Sequence, residues 1–374
     1  MATITYLTTV QFDFGAVRLV ADECQRLGIR RPLVVTDAGI AASPLLDRLR
    51  QALGAVPHEV FADTPANPTE AAVHAALAHY RRAASDGVIA FGGGSSIDLA
   101  KALALLATHE PPLAQYAFVE GGLARITARV APLIAIPTTA GTGSEVGRGA
   151  IIVLEDGRKL GFISPHTLPK VALCDPELTL GLPPGLTAAT GMDAMAHCIE
   201  TFLAPAVNPP AEAIALDGLQ RAAAHIERAV ANGGDREARW QMMMAAMEGA
   251  MAFQKGLGAV HALSHPLGAL PQKLHHGTLN AVLLPEVLRF NAGHVGDKLP
   301  RLARAMGLEA NADVAAAIAA LNARLGLPTT LNAMGVPRSV LPAIAAAAMK
   351  DHCHATNPRR ATEAEYLGIL EASY

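Results

Sequence analysis

Short apolar bursts alternate with longer amphipathic stretches through the first half of the chain. The bursts are Leu33-Val34-Val35, Glu59-Val60-Phe61, Gly87-Val88-Ile89-Ala90-Phe91, Leu133-Ile134-Ala135-Ile136 and Val171-Ala172-Leu173-Cys174. Each is three to five residues long with Pro, Gly or Asp close by, as a strand buried on both faces of a parallel sheet would be. Between them, residues 16–27, 43–53, 69–84 and 97–108 repeat apolar positions at helical spacing. Residues 150–154 and 161–163 flank Asp156-Gly157 and predict a hairpin. After Leu182-Pro183-Pro184 the pattern changes. From Thr187 onward it is helical throughout, with no strand-like burst. The pattern predicts an α/β N-terminal domain with a mostly parallel sheet, residues 1–180, followed by an all-α C-terminal domain, residues 181–374.

The 374 residues exceed what one hydrophobic core usually organises, in keeping with two domains. Hydrophobic residues make up 51% and charged ones 17%, which excludes a disordered chain. A net charge of −3 gives no reason to expect nucleic acid or an anionic membrane as partner. Met1 to Phe14 lacks the basic-then-apolar order of a secretory signal, and no run nears the ~20 apolar residues of a membrane span. Cys24, Cys174, Cys198 and Cys353 are scattered without a CxxC pair, as expected of reduced thiols in a cytoplasmic protein.

Two loops follow strands and carry candidate ligand chemistry. Gly92-Gly93-Gly94-Ser95-Ser96 joins a strand to a helix. Glycines allow close backbone approach and the helix start supplies free N–H groups, a combination that binds phosphate. A tight strand–helix turn has the same composition. Thr138-Thr139-Ala140-Gly141-Thr142-Gly143-Ser144 gathers hydroxyls suited to ribose or phosphate, or to an ordinary solvated turn. Asp37, at the end of a strand, can accept from a ribose diol or cap a helix.

The helical half carries the metal-type chemistry. Asp193 and His197 are four apart in one helical segment, and His261 and His265 are four apart in another; His275-His276-Gly277 follows. Residues at that spacing share a helix face. A carboxylate with several imidazoles suits a divalent metal with N and O ligands and an open position.

Taken together, Gly92 to Asp98 (GGGSSID), Pro137 to Val146 (PTTAGTGSEV), Gly191 to Thr201 (GMDAMAHCIET) and the His261/His265/His276-Gly277 segment resemble the iron-containing (group III) alcohol dehydrogenase family. Leu173 to Leu180 and His275 to Asn280 look most similar to its 4-hydroxybutyrate dehydrogenases. The resemblance implies NAD bound by Gly93, Gly94 and Ser95, flanked by Thr138, Thr139 and Thr142. Asp37 and Asn67 match cofactor-side positions; Lys159, in the predicted hairpin, is a candidate cation beside the anionic ligand or a solvated lysine. It implies a divalent metal, Fe²⁺ with Zn²⁺ as a substitute, on Asp193, His197, His261 and His276. Alignment on Gly277 picks His276 as fourth ligand, whereas distance from His265 picks His275. His265 matches a histidine near the nicotinamide and is assigned the proton relay.

The implied reaction is hydride transfer between a small primary alcohol or hydroxy acid, 4-hydroxybutyrate being the candidate, and NAD, in a homodimer or larger homo-oligomer. Arg148 is a candidate partner for a substrate carboxylate, or a surface cation. A dehydroquinate-synthase-like lyase would share the outline, but GTGSEV and GMDAMAHCIET argue against it. A maleylacetate-reductase-like enzyme can work without metal, and the intact Asp193/His197/His261 set argues against that.

Overall fold

The structure, a computed structural model, describes residues 8–272 and 274–374. These separate into two compact units. One comprises the described residues up to Thr139 together with Ser144–Thr179; the other comprises Ala140–Gly143 and Leu180–Tyr374.

The first unit contains strands β1 (Thr9–Phe12), β2 (Pro32–Val35), β3 (Glu59–Phe61), β4 (Gly87–Gly92), β5 (Leu133–Pro137), β6 (Gly149–Val153), β7 (Lys159–Ile163) and β8 (Val171–Cys174). Its helices are α1 (Val20–Leu27), α2 (Ala38–Ala41), α3 (Pro44–Leu53), α4 (Glu70–Arg82) and α5 (Gly94–Leu106). Six strands form a parallel sheet in the order β1-β8-β5-β4-β2-β3, and β6 and β7 form a separate antiparallel hairpin. Alternate strand residues supply the two cores. Leu33, Val35, Val88, Ala90, Leu133 and Ala135 pack with α4 and α5 residues on one face. Val34, Ile89, Phe91, Ile134 and Ile136 pack with α1 and α3 residues on the other. Burial on both faces is why the β2, β4, β5 and β8 bursts are continuously apolar rather than alternating, whereas β3, at the sheet edge, carries an exposed Glu59.

Two differences from the sequence pattern bear on the site. The helix after the glycine loop starts at Gly94, not Ile97, so Ser95 and Ser96 lie in its first turn. β1 was not expected. It is four residues long and is specified by its parallel pairing with β8, Thr9 to Phe12 opposite Val171 to Cys174, which no local pattern reveals.

The second unit contains α6 (Pro184–Leu203), α7 (Pro209–Ala231), α8 (Arg236–Ala252), α9 (Ala259–Gly268), α10 (His276–Asn291), α11 (Lys298–Ala305), α12 (Val314–Arg324), α13 (Leu341–Ala348) and α14 (Glu363–Ala372). Its described residues form no strand. α6 begins with Pro at its first position and is buried continuously from Thr187 to Leu203, the signature of a central helix. α10 lies against α6 so closely that a Cβ on Gly277 would stand 2.2 Å from the Ala189 carbonyl oxygen. No described helix is long and apolar enough to cross a membrane.

Candidate active site

In the helical unit, α6 presents Asp193, His197 and Glu200 along one side, spaced by four and three residues. α9 brings His261 and His265, and α10 opens with His276, followed one turn later by Asn280. The Nε2 atoms of His197, His276 and His261 lie 3.7, 3.8 and 4.0 Å from the same Asp193 Oδ1. Asp193, His197 and His261 are 2%, 4% and 1% exposed, so three of the four members are out of water. His276 is partly exposed, and the cluster meets solvent there. His275 is exposed and has its Nδ1 3.5 Å from Thr278 Oγ1, outside this group.

Burial pulls the His197 imidazole down to about 4, so it is neutral with a lone pair at neutral pH. Burial also pulls on His261, but the Glu200 hydrogen bond, then the charges of Glu200 and Asp193, reverse the direction and raise it. His261 Nδ1–H donates to Glu200 Oε2 at 2.7 Å, which leaves Nε2 as the free donor atom. A carboxylate behind a histidine in this way is the usual support of a metal-binding imidazole. Asn280 Nδ2 donates to Asp193 Oδ1 at 2.7 Å and lies 3.2 Å from Nε2 of both His261 and His276. Three imidazole nitrogens within 4.0 Å of one carboxylate oxygen are a donor set that fits Fe²⁺ or Zn²⁺.

His265 takes no part in that group of four. Its Nδ1 is 2.8 Å from Asp351 Oδ2, and its ring stacks with those of His276 and His352.

In the α/β unit, Asp37 and the glycine loop follow β2 and β4, neighbouring strands at which the order of the sheet reverses. Ligands of open parallel sheets bind at such a point. Asp37 is the N-cap of α2 and accepts from Ile40 N at 3.0 Å. Gly93 caps α5 and Gly94 is its first residue, so the first-turn N–H groups open onto the loop. A Cβ on Gly93 would sit 3.3–3.4 Å from the Thr139 side chain, filling the space above those groups. Ser95 Oγ donates to Ala66 O at 2.5 Å, and Lys159 Nζ donates to Asn67 Oδ1 at 2.9 Å. Asn67, Ser95 and Lys159 are thus tied to their surroundings on one side of the loop. A backbone cradle for phosphate, a strand-end carboxylate and an adjacent cation fit a dinucleotide.

The Thr-rich loop is divided. Thr138 and Thr139 belong with the sheet, whereas Ala140–Gly143, including Thr142, packs with the helices. Gly143 has φ +60° and would clash with Ala250 and Ala246 if it carried a side chain. Ser144 anchors the far end by donating to Asp98 Oδ1 at 2.6 Å. It also accepts from Lys101 Nζ at 2.8 Å, and the same ammonium donates to the carbonyls of Gly147 and Gly149. Arg148 is exposed, and its carbonyl accepts from Ser164 N and Thr167 Oγ1.

Several residues at the site had no sequence expectation attached. Glu200 lies three residues after His197, so the helical period already placed it on the ligand side. Asn280 lies four after His276 and carried the same signal. Asp351 and His352 carried none, because they reach His265 across 86 residues of chain.

A family model described as iron-containing alcohol dehydrogenase matches residues 8–176, and one described as Fe-containing alcohol dehydrogenase family, C-terminal, matches residues 187–374. The chain is 61% identical over 381 residues to a 4-hydroxybutyrate dehydrogenase of Cupriavidus necator, covering 100% of both. It is 36% identical to a 1,3-propanediol dehydrogenase of Klebsiella pneumoniae, covering 97% of this chain and 96% of that one. Among solved structures, a 1,3-propanediol oxidoreductase superposes with a TM-score of 0.93 at 35% identity, covering 100% of each chain. The sulfoacetaldehyde reductase of Bifidobacterium kashiwanohense, solved in complex with NAD⁺, superposes with a TM-score of 0.89 at 27% identity, covering 100% of this chain and 98% of that one. Matched along its length by both family models, the chain belongs to the iron-containing alcohol dehydrogenase family and is an oxidoreductase that uses NAD and a divalent metal to interconvert an alcohol and its aldehyde.

Proposed function

We propose that the chain oxidises 4-hydroxybutyrate to the corresponding ω-aldehyde acid with NAD⁺ and catalyses the reverse reduction. The observation that carries this substrate is the 61% identity, over the whole of both chains, to the Cupriavidus necator 4-hydroxybutyrate dehydrogenase, against 36% to the Klebsiella diol enzyme.

Asp193, His197, His261 and His276 hold the divalent metal, iron being the family's metal and zinc its substitute. When bound, the metal supplies a Lewis acid that makes the substrate hydroxyl easier to deprotonate. Glu200 orients His261, and Asn280 orients Asp193. His276 rather than His275 is the fourth ligand, supported by its Nε2 lying 3.8 Å from Asp193 Oδ1. His265 takes the hydroxyl proton in oxidation and returns it in reduction. Gly93, Gly94 and Ser95 bind the pyrophosphate at the start of α5. Thr138, Thr139 and Thr142 flank the cofactor, Asp37 accepts from its ribose hydroxyls, and Asn67 and Lys159 line its anionic side. Residues 1–180 serve as the NAD-binding domain and 181–374 as the metal-binding domain. The enzyme works in the cytoplasm, a location supported by four buried cysteines outside any disulfide, and assembles as a homodimer or larger homo-oligomer.

The test is NAD reduction by the Fe²⁺- or Zn²⁺-loaded enzyme with a panel of primary alcohols, diols and ω-hydroxy acids. The highest kcat/KM is expected with 4-hydroxybutyrate. Equal values for 4-hydroxybutyrate and unbranched alcohols of the same length would overturn the substrate assignment.

A further inference from the structure

We propose that Asp351 is a positioning residue for the reaction, fixing the tautomer and flip state of His265 so that Nε2 is the atom that exchanges the substrate proton. The proposal rests on the reading of His265 as proton relay.

The geometry is built from two distant segments. Asp351 lies between α13 and a 3₁₀ turn, His352–Thr356, that packs on α9. Its Oδ1 accepts from Cys353 N at 2.8 Å and caps that turn, so the backbone itself sets where the carboxylate stands. The other oxygen, Oδ2, faces His265 Nδ1 at 2.8 Å. The two side chains are 6% and 9% exposed, which strengthens the bond by excluding water.

The His265 ring also stacks on two other imidazoles. It stacks on His276 with ring centres 5.6 Å apart and planes at 8°, and on His352 at 5.6 Å and 20°. Stacking fixes the ring plane but does not distinguish the ring from its copy turned by 180°, which exchanges nitrogen and carbon positions. Only one of these places an N–H against Oδ2. A neutral imidazole has one such proton, so the bond to Asp351 assigns it to Nδ1 and leaves the lone pair on Nε2. When Nε2 takes a proton from the substrate hydroxyl, the imidazolium that forms already has a carboxylate beside it. The proton then passes to solvent or a cofactor hydroxyl, and the ring returns to the same tautomer.

His265, Asp351, His352 and Cys353 also bring metal-type donors within 4.8 Å of one another. Their atoms are, however, engaged with each other. Nδ1 of His265 meets one carboxylate oxygen, Cys353 N–H meets the other, and Cys353 Sγ lies 3.4 Å from His352 Nε2. The group works as a hydrogen-bonded support.

The experiment is a double-mutant cycle on the metal-loaded enzyme, using Asp351→Asn, His265→Ala and the double variant. Substrate is whichever alcohol of the panel is turned over fastest. Asp351→Asn is expected to lower kcat roughly a hundredfold, with KM for NAD and metal content per chain near wild type. The double variant is expected to be no slower than His265→Ala within about twofold, because Asp351 acts only through that ring. In zinc-loaded protein with nitrogen-labelled histidine, the His265 signals are expected to change from a single Nδ1–H tautomer to a mixture in Asp351→Asn. Multiplying effects in the double variant, or full activity of Asp351→Asn beside an impaired His265→Ala, would overturn this proposal alone. Loss of a metal equivalent in Asp351→Asn would overturn it in favour of a second metal site. An unchanged kcat in His265→Ala would instead sink the relay reading and take the proposal with it.

Discussion

Replacing Glu200 by Gln tests how much the metal cluster depends on a residue that touches no metal. The carboxylate is 4% exposed and accepts three N–H groups: Val260 N at 2.7 Å on Oε1, and Gly258 N at 3.1 Å and His261 Nδ1 at 2.7 Å on Oε2. Two of these are free N–H groups at the start of α9, where a negative charge also complements the helix dipole. Gln keeps the shape but turns one acceptor into a donor. The less damaging orientation puts the NH₂ against Val260 N–H and keeps an uncharged oxygen for the other two. One buried donor is then unpaired and two bonds lose their charge, at a cost of roughly 2–4 kcal/mol. For a unit of this size that lowers the melting temperature of metal-free protein by roughly 5–15 °C. The His261 Nδ1–H bond weakens at the same time, so the ring is less well oriented and less basic. Zinc affinity is expected to fall about 10- to 100-fold, measured by competition with a chromophoric chelator. A melting temperature that falls while zinc affinity stays within about threefold of wild type would refute the reasoning, since Glu200 would then cap α9 without orienting His261.

Three further outcomes follow from the same geometry. His276→Ala is expected to lower zinc affinity at least tenfold, whereas His275→Ala leaves it near wild type; the reverse order, measured by metal content after dialysis, would move the fourth ligand. Gly277→Ala puts a Cβ 2.2 Å from the Ala189 carbonyl oxygen and 3.1 Å from Asp193 Cβ. It is expected to lower both thermal stability and metal affinity, because α10 must move off α6, and an unperturbed melt would contradict that packing. Glu248, on α8, is pushed up from 4.5 to about 8 by burial and then by the hydrogen bond and charge of Asp217. The folded state therefore holds a proton that the unfolded chain releases, so stability falls as pH rises from 4.5 to about 8. The slope is at most about 1.4 kcal/mol per pH unit, reduced by solvent on the exposed side. Glu248→Gln is expected to flatten urea-unfolding stability across that window, and parallel profiles for the two proteins would contradict the assignment.

The local parts of this site were legible because helices and parallel strands carry their geometry in short periods. Asp193 with His197, and His261 with His265, stand four apart and share a face in any helix. Glycines after an apolar burst predict a strand-to-helix turn wherever they occur. The start of α5 was read three residues late because Gly94, Ser95 and Ser96 are weak helix formers, and here the turn itself sets the start. β1 escaped because its four residues are defined by pairing with a strand some 160 positions away.

What the sequence determined by itself is therefore the inventory: a buried parallel sheet, a helical second half, a carboxylate–imidazole set and a phosphate-type loop. Packing between the elements selects which members meet. His275 and His276 are neighbours in sequence with the same chemistry, yet the close approach of α10 to α6 at Gly277 turns one toward Asp193 and leaves the other exposed. His265 looks like a third repeat of the ligand pattern, but the capped turn at Asp351, 86 residues away, takes its Nδ1 and gives it a different partner. Spacing along the chain fixes a side chain's direction on its own helix. Its partner depends on packing between helices, and no local period encodes that distance.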